Sequence, residues 1–398
     1  MTDAELQVPG RAGWRSIVLL CVGTLCATIA VYIYLPILAP YAQSLGASLS
    51  LVGIISGAYG FTQLLLRMPS GLLSDRWQRR KLFVIAGAAC AVVSCLGLSL
   101  SQDPRMFVIW RGLAGVAATM NAVNTALFAT QFIATQTARA MGFYMFTLQS
   151  AFALGPVLGG WSAAAFGWRA PFVLGAVLGV VGLAALSRVW EPPRVPAVIP
   201  AWRHRLAGLL RHASVLQSFT LLAVSAFSMF VTTFTFVPIL AVRLGAGRAQ
   251  LGLLVFLTMG TVSLVSLLGG NPHLARLGRQ RTIGVGYVII AVSALALPWV
   301  PDLLWLTVAQ IASGVGLGLV GPLAITQSLD SIDTGDQATA SGIAQSGASL
   351  GLLVGPVIGG LLADRWGLAT TFIMVGILCL LTAAWSITLG LRSARSAD

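Results

Sequence analysis

Apolar residues run along this chain in long blocks separated by short polar segments. Twelve blocks stand out, at about 16–39, 50–73, 81–101, 104–130, 137–163, 168–188, 214–240, 249–270, 281–300, 302–327, 335–363 and 366–391. A helix that crosses a bilayer needs ~20 apolar residues. Backbone polar groups in hydrocarbon must pair inside the structure, so runs of this length predict helices. The ten-residue alternating segments of a membrane β-barrel are absent. The pattern therefore predicts an all-α polytopic membrane protein with twelve transmembrane helices.

Composition agrees. Of 398 residues, 57% are hydrophobic and 9% charged, against roughly 25% charge in a soluble domain. The mean hydropathy is +0.89. The net charge of +13 would suggest nucleic-acid binding in a soluble chain. Here the basic residues fall between apolar runs, so they read as topology signals and no nucleic-acid partner is expected. With the N-terminus inside, cytoplasmic segments hold 17 Arg and Lys. The opposite side holds 5: Arg105, Arg169, Arg243, Arg248 and Arg365. Both termini are thus expected on the cytoplasmic side of a cell inner membrane. The first apolar run is too long for a signal-peptide core, so it should remain as the first span. Cys21, Cys26, Cys90, Cys95 and Cys379 lie inside apolar runs without metal-ligand spacing. His204, His212 and His273 fall between runs, which excludes a membrane-buried His site.

One connection is long, at residues 189–213. Pro192, Pro193, Pro196 and Pro200 keep its first part extended. Trp202, Leu206, Leu209 and Leu210 follow at helical spacing with Arg203, Arg205 and Arg211 between them, predicting an interfacial helix. The expected organisation is a six-helix bundle over 1–188, this linker, and a second bundle over 214–398. The halves repeat. Gly155-Pro156-Val157-Leu158-Gly159-Gly160 returns as Gly355-Pro356-Val357-Ile358-Gly359-Gly360, and Pro36-Ile37-Leu38-Ala39 as Pro238-Ile239-Leu240-Ala241. Arg76 and Arg79 return as Arg276 and Arg279. Duplicated halves with a site between them are a common build of secondary transporters.

A charged turn follows the second run, Gly71-Leu72-Leu73-Ser74-Asp75-Arg76-Trp77-Gln78-Arg79-Arg80-Lys81. Through Gly71, Leu73, Asp75, Arg76, Arg79 and Arg80 it resembles motif A of the major facilitator superfamily, with Gln78 where the family has Gly. The resemblance covers nearly the whole chain. It implies the pseudo-symmetric major facilitator fold and alternating access, in which two halves rock about a central cavity. It also implies that Asp75 meets the N-terminus of the eleventh helix when the cytoplasmic side is closed. An acid there suits a helix dipole and is not needed for positive-inside anchoring. The four basic residues after it serve equally well as anchors. Ala275 stands in the matching place of the second half, so the latch reads as one-sided. Relatives often pair the later Arg with an acid after the fourth helix, and residues 129–138 contain none.

Arg111-Gly112-Leu113-Ala114-Gly115 resembles motif B, which surrounds an Arg in the fourth helix. A cation there costs at least about 2.5–3.5 kcal/mol to insert, so it should face a polar interior or bond to backbone carbonyls. Gln310 occupies its place in the second half. Tyr59, Gln63 and Arg67 form an i, i+4, i+8 stripe in which Arg67 either lines the cavity mouth or snorkels. Ala151 to Gly160 resembles motif C, associated with drug-efflux antiporters. Gly155, Pro156, Gly159 and Gly160, with Gly355, Pro356, Gly359 and Gly360, equally suit helix packing and hinging. Thr24, Thr28 and Tyr32 make one polar stripe. Tyr32, Gln63, Asn121, Gln149, Thr232, Gln310 and Gln345 are the candidate contacts beside Arg111 and Arg67.

No acid lies near the middle of an apolar run. Proton relays and counter-ions for cationic drugs commonly use such a carboxylate. The expected substrates are therefore small molecules that are neutral or anionic and amphipathic, and proton coupling rests on the antiporter resemblance alone. No P-loop, cofactor fingerprint or nucleophile-base set appears, so neither ATP, a cofactor nor catalysis is expected. The sequence reads as a monomeric secondary transporter, most simply an exporter. An uptake symporter or facilitator for an organic acid or sugar is the alternative, and a non-transporting receptor or scaffold the rival of another class.

Overall fold

The computed structural model describes residues 14–77, 79–132, 137–191, 208–268, 278–330, 332, 333 and 336–395. Within them the chain forms helices α1 (Trp14–Tyr32), α2 (Leu35–Ser44), α3 (Leu49–Trp77), α4 (Arg80–Leu100), α5 (Met106–Thr130), α6 (Thr137–Phe166) and α7 (Ala170–Ser187). The second half continues with α8 (Ala213–Met229), α9 (Val237–Arg243), α10 (Arg248–Leu268), α11 (Arg279–Ala296), α12 (Leu303–Gln327), α13 (Gln337–Trp366) and α14 (Leu368–Arg395). These make 12 helical spans long and apolar enough to cross a membrane, as the apolar blocks predicted. α1 and α2 share the first span, Arg15–Ser44. α8, a π-helical segment at Phe230–Phe236 and α9 share the seventh, Ala213–Arg243.

Both compound spans break at the repeated proline. Pro36 follows the interruption at Ile33-Tyr34, and Pro238 follows the π segment. A proline supplies no N–H to the carbonyl four residues back and its ring crowds that carbonyl, which favours a kink, a widened turn or a break. The repeated prolines were visible in sequence, but which distortion each half adopts was not. Glycines at positive φ close short turns elsewhere. Gly46 and Gly245, both at φ 87°, end α2 and α9 in the matching sequences Leu45-Gly46-Ala47 and Leu244-Gly245-Ala246. A side chain would be strained there.

The chain divides into two compact units. The first comprises Met1–Ile37 and Thr62–Val198, the second Leu38–Phe61 and Ile199–Asp398. The division thus assigns the first half of α3 to the second unit. In the first unit α4 packs on α5 and α7, and α1 on α6 and α7. In the second, α13 packs along α8, and α11 against α12 and α14. The proline stretch and the start of the predicted interfacial helix, residues 192–207, lie outside the described residues. Leu209 is buried with Val215, Ala340 and Ile343, while Leu210 is exposed.

Candidate substrate site

In the first unit the break between α1 and α2 is built around Arg111. The guanidinium is 1% exposed, on α5. Its Nη1 donates to the Tyr34 hydroxyl at 3.2 Å, and its carbon lies 5.6 Å from the centre of the Tyr34 ring. Tyr34 sits in the break and is fully buried. A cation in hydrocarbon needs such a polar, aromatic surround. The Arg111 side chain therefore lies in the interior of this unit. Tyr34 was missed from sequence, where it reads as one more apolar position; its place two residues before Pro36 was the available signal.

A cleft in the same unit brings together part of the predicted set. Thr24, Thr28, Tyr32, Asn121 and Asn124 line it, with small residues of α4 and α5 between them, around a narrow cavity of about 30 Å³. Asn124 is 4% exposed and its Nδ2 donates to Thr24 Oγ1 at 2.9 Å. Its Oδ1 is buried and accepts no hydrogen bond among the described residues. Tyr32 meets Phe152 edge-on, with ring centres 4.5 Å apart.

The second unit holds a neutral counterpart. Gln310 on α12 is 1% exposed, and its Oε1 accepts from Thr233 Oγ1 at 3.1 Å. Thr233 belongs to the π segment. Thr232, a predicted contact, instead donates to the Ser228 carbonyl one turn back, at 2.8 Å. Gln345 donates to Ser341 on its own helix at 3.2 Å. Gln63 is buried on α3, Arg67 is half-buried, and Gln149 is exposed on α6. Tyr32 and Asn121 line one cleft; Gln63, Arg67 and Gln149 of the same unit are not among its lining residues.

Along the motif A turn, Arg76 and Arg79 are exposed, and Arg80 Nη1 donates to the Ala126 carbonyl at 3.2 Å. The Gly71 and Asp75 surroundings lie outside the described residues. The ion pair missing after the fourth span occurs in the second half: Arg279 pairs in two-pronged fashion with Asp330, Nη1 to Oδ1 at 3.0 Å and Nη2 to Oδ2. Motif C glycines lie at close helix crossings. A Cβ on Gly159 would overlap the Ile33 carbonyl, and one on Gly155 would sit 3.4 Å from the Ile33 amide. A Cβ on Gly359 would lie 2.9 Å from the Phe236 ring. α6 and α13 pass through Pro156 and Pro356 without interruption.

A sequence profile of the Major Facilitator Superfamily matches residues 20–271 and 218–397, together almost the whole chain. The chain belongs to the Major Facilitator Superfamily. It is therefore a multi-pass membrane transporter of small molecules rather than an enzyme. An MFS-type transporter of Methanocaldococcus jannaschii is 24% identical over 90% of this chain and 94% of its own. The purine ribonucleoside efflux pump NepI of Salmonella enteritidis is 25% identical over 94% and 93%. Among solved structures, a bacterial homologue of the human lysosomal transporter Spinster shares the fold, with a TM-score of 0.77, 14% identity, and 94% and 95% of the two chains covered.

Proposed function

We propose that this superfamily member exports small amphipathic molecules, neutral or anionic, across the cytoplasmic membrane by alternating access, as a monomer with both termini inside. The observation that carries the substrate class is the cleft of Thr24, Thr28, Tyr32, Asn121 and Asn124, which is polar but holds no charged side chain. Its amides and hydroxyls suit a neutral, hydrogen-bonding group better than a permanent cation. Arg111 contributes the positive charge of the same unit and disfavours permanent cations. Similarity to NepI and the motif C pattern support the outward direction. Asp75 acts as the cytoplasmic latch, and its place near the end of α3 supports that role.

Inside-out vesicles test this reading. They should accumulate a radiolabelled purine ribonucleoside or an organic anion faster than vesicles lacking the protein. Accumulation of permanent cations alone would overturn the substrate class. The lack of a mid-span carboxylate also favours a second reading, facilitated diffusion without a proton relay. Downhill flux indifferent to a pH gradient would select it.

A further inference from the structure

α3 and α13 end on nearly the same seven residues. Gly71-Leu72-Leu73-Ser74-Asp75-Arg76-Trp77 closes α3 and Gly360-Leu361-Leu362-Ala363-Asp364-Arg365-Trp366 closes α13. They differ only where Ser74 faces Ala363 in the alignment. In each, the acid stands two residues before the tryptophan that ends the helix.

At α13 the partner of that acid is visible. Asp364 Oδ1 accepts from the Leu49 N–H at 2.9 Å and Oδ2 from the Ser50 N–H at 3.0 Å. Leu49 begins α3. The first amides of a helix have no partner within it, and a carboxylate suits the positive end of its dipole. Ser48, just before α3, accepts from the Leu51 N–H at 3.2 Å and leaves the two preceding amides to Asp364. An ordinary cap comes from the residue preceding the helix, as Asp302 caps α12 through the Trp305 N–H at 3.0 Å. Asp364 comes from another helix, 315 residues away from Leu49. The bond therefore ties two spans together.

Beneath it the spans meet backbone to backbone. A Cβ on Gly53 would overlap the Pro356 carbonyl, one on Gly60 would overlap the Leu353 amide, and one on Gly360 would lie 2.6 Å from the Leu49 carbonyl. Below these, the Tyr59 and Phe230 rings stack at 5.9 Å. The upper part of this joint thus consists of glycine surfaces, a long bond from the Ser50 hydroxyl to the Gly360 carbonyl at 3.4 Å, and the carboxylate. Asp364 itself is exposed, so water can replace its two amide partners when the helices part.

We propose that Asp364 is a positioning residue of the transport cycle, a latch that holds the start of α3 against the end of α13 and releases it when that face opens. In the orientation proposed above, this is the outer face. The assignment of the face rests on that reading; the joint itself does not.

The test uses the full-length protein with its five cysteines replaced and Ser56→Cys as reporter. Ser56 is 7% exposed, on α3 between Gly53 and Gly60. Maleimide labelling of the detergent-purified protein is compared with and without Asp364→Ala. The expected result is labelling roughly five- to tenfold faster in the variant, with Asp364→Asn between the two. An unchanged rate overturns the latch. Equal acceleration by Asp302→Ala, which removes a cap within a single span, also overturns it, because general loosening would then be the cause. If Asp364→Ala does not yield monodisperse protein, Asp364→Asn carries the test, and an unchanged rate there overturns the proposal. An impermeant maleimide applied to intact cells then assigns the face. Acceleration from outside supports the outer latch, whereas acceleration only in inside-out vesicles overturns the orientation and leaves the joint standing. No substrate is needed, so these outcomes are independent of what is transported.

Discussion

Arg111 and Gln310 stand at matching places in the fourth and tenth spans, and each is 1% exposed. Each is bonded to the first span of its own half at or beside a distortion that precedes a repeated proline: Arg111 to Tyr34, Gln310 to Thr233. The position of the polar centre is thus shared and its chemistry is not. One half holds a cation backed by a phenol, the other an amide backed by a hydroxyl. A helix distortion frees backbone groups and admits polar side chains, so both halves accept a polar centre there. The half that carries the charge places the Tyr34 ring and hydroxyl against it. We propose on this difference that charge selection belongs to the first unit, with the second a neutral framework.

That contrast can be broken from either side. The largest effect should come from Gln310→Arg, which puts a cation where Thr233 replaces a phenol. Insertion scales put such a burial at about 3 kcal/mol, so membrane yield should collapse; yield and thermal stability equal to the parent would show the two centres are interchangeable. Next is Arg111→Ala, which should cut flux of an anionic substrate on the order of tenfold or more, since loss of a buried charged contact is worth ~1.5–3 kcal/mol. Arg67→Ala should act far less in the same flux assay. Equal, small effects would make Arg111 purely structural. Tyr34→Phe removes the phenolic acceptor but keeps the ring, so a melting measurement should show a loss of about 1 kcal/mol. The smallest effect belongs to Thr233→Val, near the ~0.6 kcal/mol average for hydrogen bonds between membrane helices. A larger loss than Tyr34→Phe would reverse the assignment of the two centres.

The latch residues add a prediction of opposite sign. If α3 and α13 hold one another at alternate ends, Asp75→Asn should slow labelling of the Ser56→Cys reporter where Asp364→Ala speeds it. It should also lower turnover while leaving expression intact. Normal flux in Asp75→Asn would refute the cytoplasmic latch.

Helix existence was legible because bilayer thickness imposes one length on every span, and apolar runs such as 81–101 and 302–327 have few alternatives. The helix distortions were only half legible. Pro36 and Pro238 announced them, but whether a span opens at Tyr34 or widens over Phe230–Phe236 depends on tertiary packing. Arg111 was legible as an ion in an apolar run; that it is directed at Tyr34 and not at the cleft was not, since a run this apolar carries little facial pattern. Asp364 escaped for a different reason. Comparing the halves in register sets Gly71–Lys81 against residues 271–281, where Ala275 replaces the acid. The true likeness is out of register, at the other end of a helix of different rank, and only an unregistered self-comparison reveals it. Thr232 and Gln345 each also bond within their own helix, a pairing that the sequence does not display.

Charge selection by the first unit is tested most directly by converting its centre to that of the second. In proteoliposomes, the ratio of organic-anion flux to neutral ribonucleoside flux should fall roughly tenfold in Arg111→Gln, with the neutral flux close to that of the parent. An unchanged ratio, or an equal loss of both fluxes, would contradict the account.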